Sequence, residues 1–272
     1  MTRSDALTSK LVEALRSGRA IAQAAWTGPG SLEEGYAIQA AFFRQAGLGS
    51  AGWKAGSTNA AAQARRNLSE PVFGRLFADR CFGQGSTVPR DLFMNPCLEV
   101  EFGFRMGRDL GPRDAPFALA EVRAAVDAVV LAIEIADGRL EDWRSCDAPS
   151  SVADNVAHGA TVLGPEFPLA EGADLASVRT TLVCDGAVMA EGTGSAVLGN
   201  PLNALTWLAN KLSGEGETLQ AGQVVLSGTT TALVPVGSCR TVTAGFSGLG
   251  EVSFAFAPPD ADDGGPVTAA GA

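Results

Sequence analysis

The chain has 272 residues, 46% of them hydrophobic and 18% charged, which is the composition of a globular protein with a substantial core. Thirty acidic residues against twenty basic ones give a net charge of −10, and this charge repels nucleic-acid backbones and anionic membranes. The single histidine excludes any metal site that needs two imidazole ligands. We therefore expect carboxylate, lysine and hydroxyl chemistry, with neither a nucleic acid nor a membrane as partner.

The first fifty residues have the pattern of a small helical region. Apolar residues recur at helical spacing over residues 5–25, and a Gly-Pro-Gly break follows at residues 28–30. Ser31 with Glu34 three positions later is the pattern of a capping box, and it predicts a second helix that ends at Gly47.

The N-terminal nineteen residues carry mixed charges and lack the apolar centre of a signal peptide, and no run of 18 apolar residues follows. The five cysteines are scattered, with no CxxC pair, which argues against a disulfide framework or a cysteine zinc site. A cytoplasmic protein is therefore expected.

Beyond the helical region, short apolar or alternating runs are separated by glycine and proline, which is typical of strands. Helices are predicted over residues 118–128 and 201–212. This pattern favours an α+β fold with a largely antiparallel β body over residues 51–257, preceded by the helical region 1–50 and followed by a disordered acidic tail over 258–272. The predicted strands cover residues 98–104, 128–135, 160–163, 180–184, 224–227, 242–246 and 252–256.

Glutamates interrupt two of the apolar strands. Glu99 and Glu101 are two residues apart and so point to the same face of one strand, and Glu134 stands near the end of another apolar run. Three such carboxylates would make a site of oxygen ligands for Mg²⁺ or Mn²⁺. The alternative is that the pair faces solvent on an edge strand while Glu134 pairs with Arg139.

Three further places carry candidate chemistry. Lys54 lies in a small-residue and aromatic setting, where it is either a partly desolvated acid or base or a surface lysine packed over Trp53. Asp79 is either a turn residue or a buried acid or base. The run Ser-Gly-Thr-Thr-Thr at 227–231 concentrates hydroxyls and amides after a strand, and it is either a carboxylate-binding loop, through Gly228, Thr229 and Thr231, or a turn.

Taken together and in order, these segments resemble the fumarylacetoacetate hydrolase superfamily, and within it the branch of 2-keto-4-pentenoate hydratases and 4-oxalocrotonate decarboxylases. The resemblance covers most of the chain, and no single segment decides it, but their common order does. The segments are Gly-Trp-Lys-Ala-Gly at 52–56, Pro-Val-Phe-Gly at 71–74 with Leu-Phe-Ala-Asp at 76–79, Glu-Val-Glu at 99–101, Ala-Ile-Glu-Ile-Ala-Asp at 132–137, Ala-Asp-Asn at 153–155, Leu-Gly-Asn-Pro at 198–201 and Leu-Ser-Gly at 226–228.

The resemblance implies a mixed β-roll, a cytosolic homo-oligomer, and Mg²⁺ or Mn²⁺ held by Glu99, Glu101 and Glu134. It also implies a lyase that acts on a short 2-oxo or 2-hydroxy-dienoic acid from the breakdown of aromatic compounds. A divalent ion would stabilise negative charge on the 2-oxygen of such an acid. Lys54 and Asp79 match the acid and base positions of the family.

The chain departs from the family after Asp154-Asn155. A small residue and two serines are usual there, whereas this chain has Val156, Ala157 and His158. The only histidine therefore stands where a hydroxyl is expected, and it is either a catalytic base or a buried residue that bonds a neighbouring loop.

The leading hypothesis is a Mg²⁺-dependent hydratase of 2-hydroxypenta-2,4-dienoate-like acids. A 4-oxalocrotonate-type decarboxylase is the alternative, because the metal site would be the same. Hydrolysis of a C–C bond in an acylpyruvate is a weaker alternative, since it needs a dedicated base for water. A partner subunit without activity, in a complex with a paralogous or downstream enzyme, is the alternative from another class.

Overall fold

The computed structural model describes residues 2–258, so residues 259–272 of the expected acidic tail lie outside the described range. The chain opens with helices α1 (Arg3–Ser17) and α2 (Leu32–Ala46). The first helix was expected to run to residue 25 and instead ends at Gly18, whose φ of 64° is the left-handed conformation that terminates helices. Ser31 caps the second helix as predicted, since its Oγ atom accepts from the amide of Glu34, but the carboxylate of Glu34 accepts from the amide of Gly30 rather than from that of Ser31.

The strands form two sheets. The larger sheet has the order β2-β1-β10-β5-β6-β7-β3, with β11 paired to β5, and the smaller has the order β4-β13-β12-β8-β9. Most pairs are antiparallel, whereas β1 pairs with β10, β3 with β7 and β4 with β13 in parallel. The strands are β1 (Ser50–Gly56), β2 (Val72–Phe77), β3 (Cys81–Gly83), β4 (Thr87–Val88), β5 (Cys97–Met106), β6 (Val126–Ala136), β7 (His158–Pro168), β8 (Arg179–Cys184), β9 (Ala187–Thr193), β10 (Val224–Thr229), β11 (Val234–Pro235), β12 (Thr241–Phe246) and β13 (Gly250–Phe256).

Four further helices connect the strands: α3 (Ala60–Arg65), α4 (Leu119–Arg123), α5 (Ala148–Ala153) and α6 (Pro201–Gly214). The helix predicted over 118–128 is shorter than expected, because β6 begins at Val126 and continues a β-branched, apolar run. The helix predicted at 201–212 is confirmed, with Asn200 capping its first turn.

The main core lies between the two sheets. The rings of Phe102 and Phe246 meet edge to face across it, 5.2 Å apart. The sheets also approach closely at Gly164, where a Cβ atom would lie 2.6 Å from that of Val252. A second cluster joins the N-terminal helices to the larger sheet, through Phe42 of α2 and Phe77 of β2.

The predicted α+β class is confirmed. No helix within residues 2–258 is long and apolar enough to cross a bilayer. The division of the chain at residue 50 stays a prediction.

Candidate active site

Three glutamates meet on adjacent strands of the larger sheet. Glu99 on β5 lies directly opposite Glu134 on β6, and Glu101 follows two residues along on the same face. Carboxylate oxygens of all three lie within 4.8 Å of one another. Because β5 is an interior strand, paired on both sides, and Glu101 is 1% exposed, the alternative of a solvent-facing edge pair does not describe this site.

Glu134 is wholly buried, and only one of its two carboxylate oxygens has hydrogen-bond partners among the described residues. Its Oε1 atom accepts from Lys54 Nζ at 2.5 Å and contacts His158 Nδ1 at 3.1 Å, whereas its Oε2 atom has no hydrogen-bond partner among the described residues. A buried carboxylate oxygen without a partner is costly, and a bound cation would satisfy it. Three crowded carboxylates are also the ligand chemistry that Mg²⁺, Mn²⁺ and Ca²⁺ prefer, so the residues present fit a hard divalent ion.

The charges of the three glutamates are unequal. Burial, together with the charge of Glu134, raises the pKa of Glu99 to about 7 and raises that of Glu101 well above its usual value. Burial also acts to raise the pKa of Glu134, but the Lys54 charge and the His158 hydrogen bond outweigh it and the pKa is lowered. Glu134 is therefore the carboxylate that stays ionised, and the other two lose protons less readily.

Binding of a divalent ion is therefore expected to release protons, because ligating carboxylates must be ionised. The affinity for Mn²⁺ should fall as the pH drops below about 7, the value for Glu99, by about tenfold per pH unit for each proton displaced. Calorimetric titration at pH 6 and pH 8, in two buffers of different ionisation enthalpy, measures both the affinity and the protons released. An affinity that is the same at both pH values would contradict the assignment of Glu99 as a ligand.

Lys54 reaches the glutamates from β1. It is 3% exposed, and Nζ donates to Glu134 and, at 3.1 Å, to the backbone oxygen of Val156. Burial favours the neutral amine, but the charges of Glu134, Glu99 and Glu101 together outweigh this effect and the pKa of Lys54 is raised. The cation that packs over Trp53 is Arg75, at 4.1 Å from the ring centre, so Lys54 is a buried ammonium and not a surface lysine.

A strained turn supplies the second acceptor of Lys54. Asn155, Val156 and Ala157 all have left-handed backbones, with φ of 53°, 51° and 54°, and this conformation costs a β-branched residue such as Val156 on the order of 1–3 kcal/mol. The Asn155 side chain both donates to and accepts from the backbone of Arg75, at 2.8 Å each way. This clamp fixes the turn to β2 and so positions the Val156 carbonyl.

His158 lies behind the glutamates and does not line the cavity described below. It is fully buried against Phe77, with the ring centres 5.0 Å apart. Burial lowers its pKa despite the opposing effect of Glu134, so the ring is neutral. Because an ionised carboxylate only accepts, Nδ1 carries the proton and donates to Glu134, and Nε2 has no partner among residues 2–258.

Arg139 does not pair with Glu134. It forms a buried ion pair with Asp154, through Nε to Oδ1 at 2.5 Å and through its own amide to Oδ2 at 2.7 Å. Its Nη1 atom donates to the backbone oxygen of His158 at 2.7 Å. The pair thus ties the segment after β6 to both ends of the strained turn.

The variant Arg139→Met is expected to destabilise the protein by about 3–5 kcal/mol, because it leaves the Asp154 carboxylate buried without its cation. Chemical denaturation measures the change, and Arg19→Met, an exposed arginine on the chain surface, is the matched control. A change below about 1 kcal/mol, the size of a surface pair, would show that this pair does not hold the turn.

The C-terminal end of β10 and the turn after it contact the glutamates directly. The amide of Gly228 donates to Glu101 Oε2 at 2.7 Å, so this amide is already engaged. Gly228 has φ of 103°, and a Cβ atom there would lie 2.0 Å from Thr58 Oγ1, so only glycine fits. Thr229 and Thr231 line the cavity next to it.

Asp79 is not brought to the site. It lies exposed in a short 3₁₀ turn after β2, outside the cavity lining. Its role as an acid or base stays a prediction.

A cavity of about 560 Å³ opens over the glutamates. Lys54, Glu99, Glu101, Gly228, Thr229 and Thr231 line it, so the structure brings six of the nine predicted site residues to one space and places Glu134 and His158 beneath. Sequence reasoning missed three arginines of the lining, Arg65, Arg66 and Arg144. They stand in or beside loops, and no spacing or neighbouring motif distinguishes them.

The fold and the site define a class: a mixed two-sheet protein whose interior carboxylates suit a hard divalent ion beside a buried ammonium. Residues 43–256 match the family model described as fumarylacetoacetate (FAA) hydrolase C-terminal. The chain belongs to this family.

Relatives with assigned names support the same placement. The chain is 37% identical over 250 residues to 2-keto-4-pentenoate hydratase of Paraburkholderia xenovorans (strain LB400), covering 90% of this chain and 92% of that protein. It is 32% identical over 234 residues to 2-oxo-hept-4-ene-1,7-dioate hydratase of Escherichia coli, covering 83% and 87%. Among solved structures, 4-oxalocrotonate decarboxylase from Pseudomonas putida G7, complexed with magnesium and adipate, superimposes with a TM-score of 0.85 at 29% identity, covering 94% of this chain and 99% of that one.

Proposed function

We propose that the protein is a divalent-metal-dependent hydratase that adds water to a 2-hydroxy-2,4-dienoate, or its 2-keto-4-enoate tautomer, to give a 4-hydroxy-2-oxo acid in the catabolism of aromatic compounds. The observation that carries the proposal is the unpartnered Oε2 atom of Glu134 within the carboxylate cluster, next to the Lys54 ammonium. The hydratase names of relatives that match most of the chain support the choice of reaction.

In this proposal Glu99, Glu101 and Glu134 hold Mg²⁺ or Mn²⁺. The bound ion supplies positive charge that stabilises negative charge on the 2-oxygen of the substrate. A second solved structure of the Pseudomonas putida G7 decarboxylase is complexed with calcium and acetate, which supports a site for hard cations.

The chain's own residues then handle protons and orientation. Ketonisation moves the 2-hydroxyl proton to carbon 5, and hydration adds the hydroxyl group of water to carbon 4 and its proton to carbon 3. Lys54, an ammonium that lines the cavity, is the proposed proton donor. The hydroxyls of Thr229 and Thr231 are the proposed partners of the substrate carboxylate, and Asp79, exposed outside the cavity, is assigned no step.

His158 is proposed as a positioning residue, because it touches Glu134 and does not line the cavity. The variant His158→Leu removes the donor and should weaken Mn²⁺ binding about 10–100-fold, the usual effect of losing a hydrogen bond to a metal ligand. His158→Asn keeps a donor and should recover most of the affinity. Equal affinities in the two variants would contradict the role, and circular dichroism reports whether both fold.

The direct test is the decay of dienoate absorbance with purified protein and Mg²⁺. We expect the decay to stop with a chelator and to resume when Mg²⁺ is restored, with one water gained in the product. No decay with dienoates of several chain lengths would refute the hydratase.

A decarboxylase is the second candidate, favoured by the TM-score of 0.85 with 4-oxalocrotonate decarboxylase. The cluster fits both reactions, since both develop charge on the 2-oxygen. Release of CO₂ from a 2-hydroxy-dienedioate, or from its 2-oxo-enedioate tautomer, to give a 2-hydroxydienoate without added water would decide for decarboxylation.

A further inference from the structure

Three arginines line the cavity of a strongly acidic protein, and of these Arg66 is half-buried whereas Arg65 and Arg144 are exposed. Arg65 ends α3, Arg66 follows it, and Arg144 stands in the loop after β6, so two separate segments deliver them to the same space. The chain as a whole carries a net charge of −10. Such a local excess of arginine, against the overall charge, points to an anionic group that the cavity receives.

None of the three arginines has an anionic partner within 4.0 Å among residues 2–258. All ion pairs of that range involve other residues. Arg66 Nη1 donates to the backbone oxygen of Cys146 at 3.1 Å. Arg144 Nη1 makes one long contact, to Cys97 Sγ at 3.6 Å. Each guanidinium therefore keeps several donors free, in the fork that suits a carboxylate.

The remaining charges of the site are already matched. The carboxylates of Glu99, Glu101 and Glu134 are balanced by Lys54 and the divalent ion of the proposed function. The 2-oxo acid end of the substrate belongs to that cluster. The arginines are thus in excess of what a monocarboxylic substrate needs, and a cavity of about 560 Å³ falls in the range that holds molecules much larger than a five-carbon acid.

We propose that Arg65, Arg66 and Arg144 form a second carboxylate subsite, and that the substrate is a dicarboxylic dienoate whose far carboxylate binds there. This inference rests on the proposed function for the near end of the substrate. The apolar faces of Trp143 and Leu233, also in the lining, suit the carbon chain between the two carboxylates.

The activity test compares one monocarboxylic and one dicarboxylic substrate on the Mg²⁺-loaded enzyme. We expect the wild type to prefer 2-hydroxyhepta-2,4-diene-1,7-dioate over 2-hydroxypenta-2,4-dienoate by at least about tenfold in kcat/KM. The double variant Arg66→Gln/Arg144→Gln should lower that ratio by about 10–100-fold, the range for hydrogen bonds to charged groups. Arg19→Gln, on the surface away from the cavity, should leave both values unchanged.

Two results in the double variant would overturn the subsite. One is kcat/KM unchanged for both substrates, and the other is a parallel loss for both substrates, which would place the arginines on the shared near carboxylate. A binding arm separates this failure from failure of the proposed function. Adipate and hexanoate differ in one carboxylate and do not react, so calorimetry with the Mg²⁺-loaded protein measures the subsite without turnover. Adipate should bind at least about tenfold more tightly, and the double variant should bind the two equally. Equal binding by the wild type would overturn the subsite even in an active hydratase.

Discussion

Replacing Glu134 by glutamine is expected to remove nearly all activity while the protein stays folded. The change removes one carboxylate oxygen from the cluster and leaves the amide next to Lys54 and His158. We expect the affinity for Mn²⁺ to fall at least about a hundredfold, more than is usual for a supporting residue, and kcat to fall about 10³-fold, because charge on the 2-oxygen then lacks its main stabilisation. Calorimetry and the dienoate assay measure the two effects separately.

The matched control is Glu251→Gln, which removes one exposed carboxylate from β13. It should leave metal affinity and rate unchanged. A Glu134→Gln enzyme that binds Mn²⁺ as tightly as the wild type would show that the cluster is not the metal site.

The variant Lys54→Met is expected to lower kcat about 10²–10⁴-fold, the usual contribution of a positioned acid or base. Methionine keeps much of the volume of the side chain and removes the ammonium that donates to Glu134 and to the backbone oxygen of Val156. Stopped-flow measurement of dienoate decay gives the rate, and Mn²⁺ affinity shows whether the cluster survives.

Lys54→Arg separates charge from proton transfer. A guanidinium stays protonated at all accessible pH values, so it can replace the charge without giving up a proton, and we expect this variant to be nearly as slow as Lys54→Met. A fast arginine variant would assign Lys54 to electrostatic support. Lys211→Met, which removes a partly exposed lysine paired with Glu70, is the surface control.

The part of the site that the sequence could predict is the glutamate cluster, because carboxylates at strand spacing stand out in otherwise apolar runs. Glu99 and Glu101 share a face because strands have a period of two, and a carboxylate at position 134 is anomalous in so apolar a run. The register that places Glu134 opposite Glu99 depends on long-range pairing of β5 with β6, and no local pattern reports it. The family resemblance supplied that step.

The conformation of the turn at 155–157 and the end of the first helix could not be predicted from local sequence patterns. The left-handed turn at 155–157 was missed, because Val156 has no intrinsic preference for that conformation and tertiary contacts impose it. The apolar spacing predicts too long a first helix, because Ile21 and Ala25 continue it after Gly18. These residues belong to a separate segment, in which Ile21 pairs with Leu140.

The strained turn has a consequence for how this enzyme can diverge. In this turn Lys54 donates to a main-chain carbonyl, that of Val156. Because every amino acid has a main-chain carbonyl, the acceptor does not depend on the side chain at position 156. The side chain that has to be retained is Asn155, whose two hydrogen bonds to the backbone of Arg75 hold the turn. Substitutions at 156–158 can therefore change the surroundings of Glu134, as His158 does, while the Lys54 ammonium keeps its position.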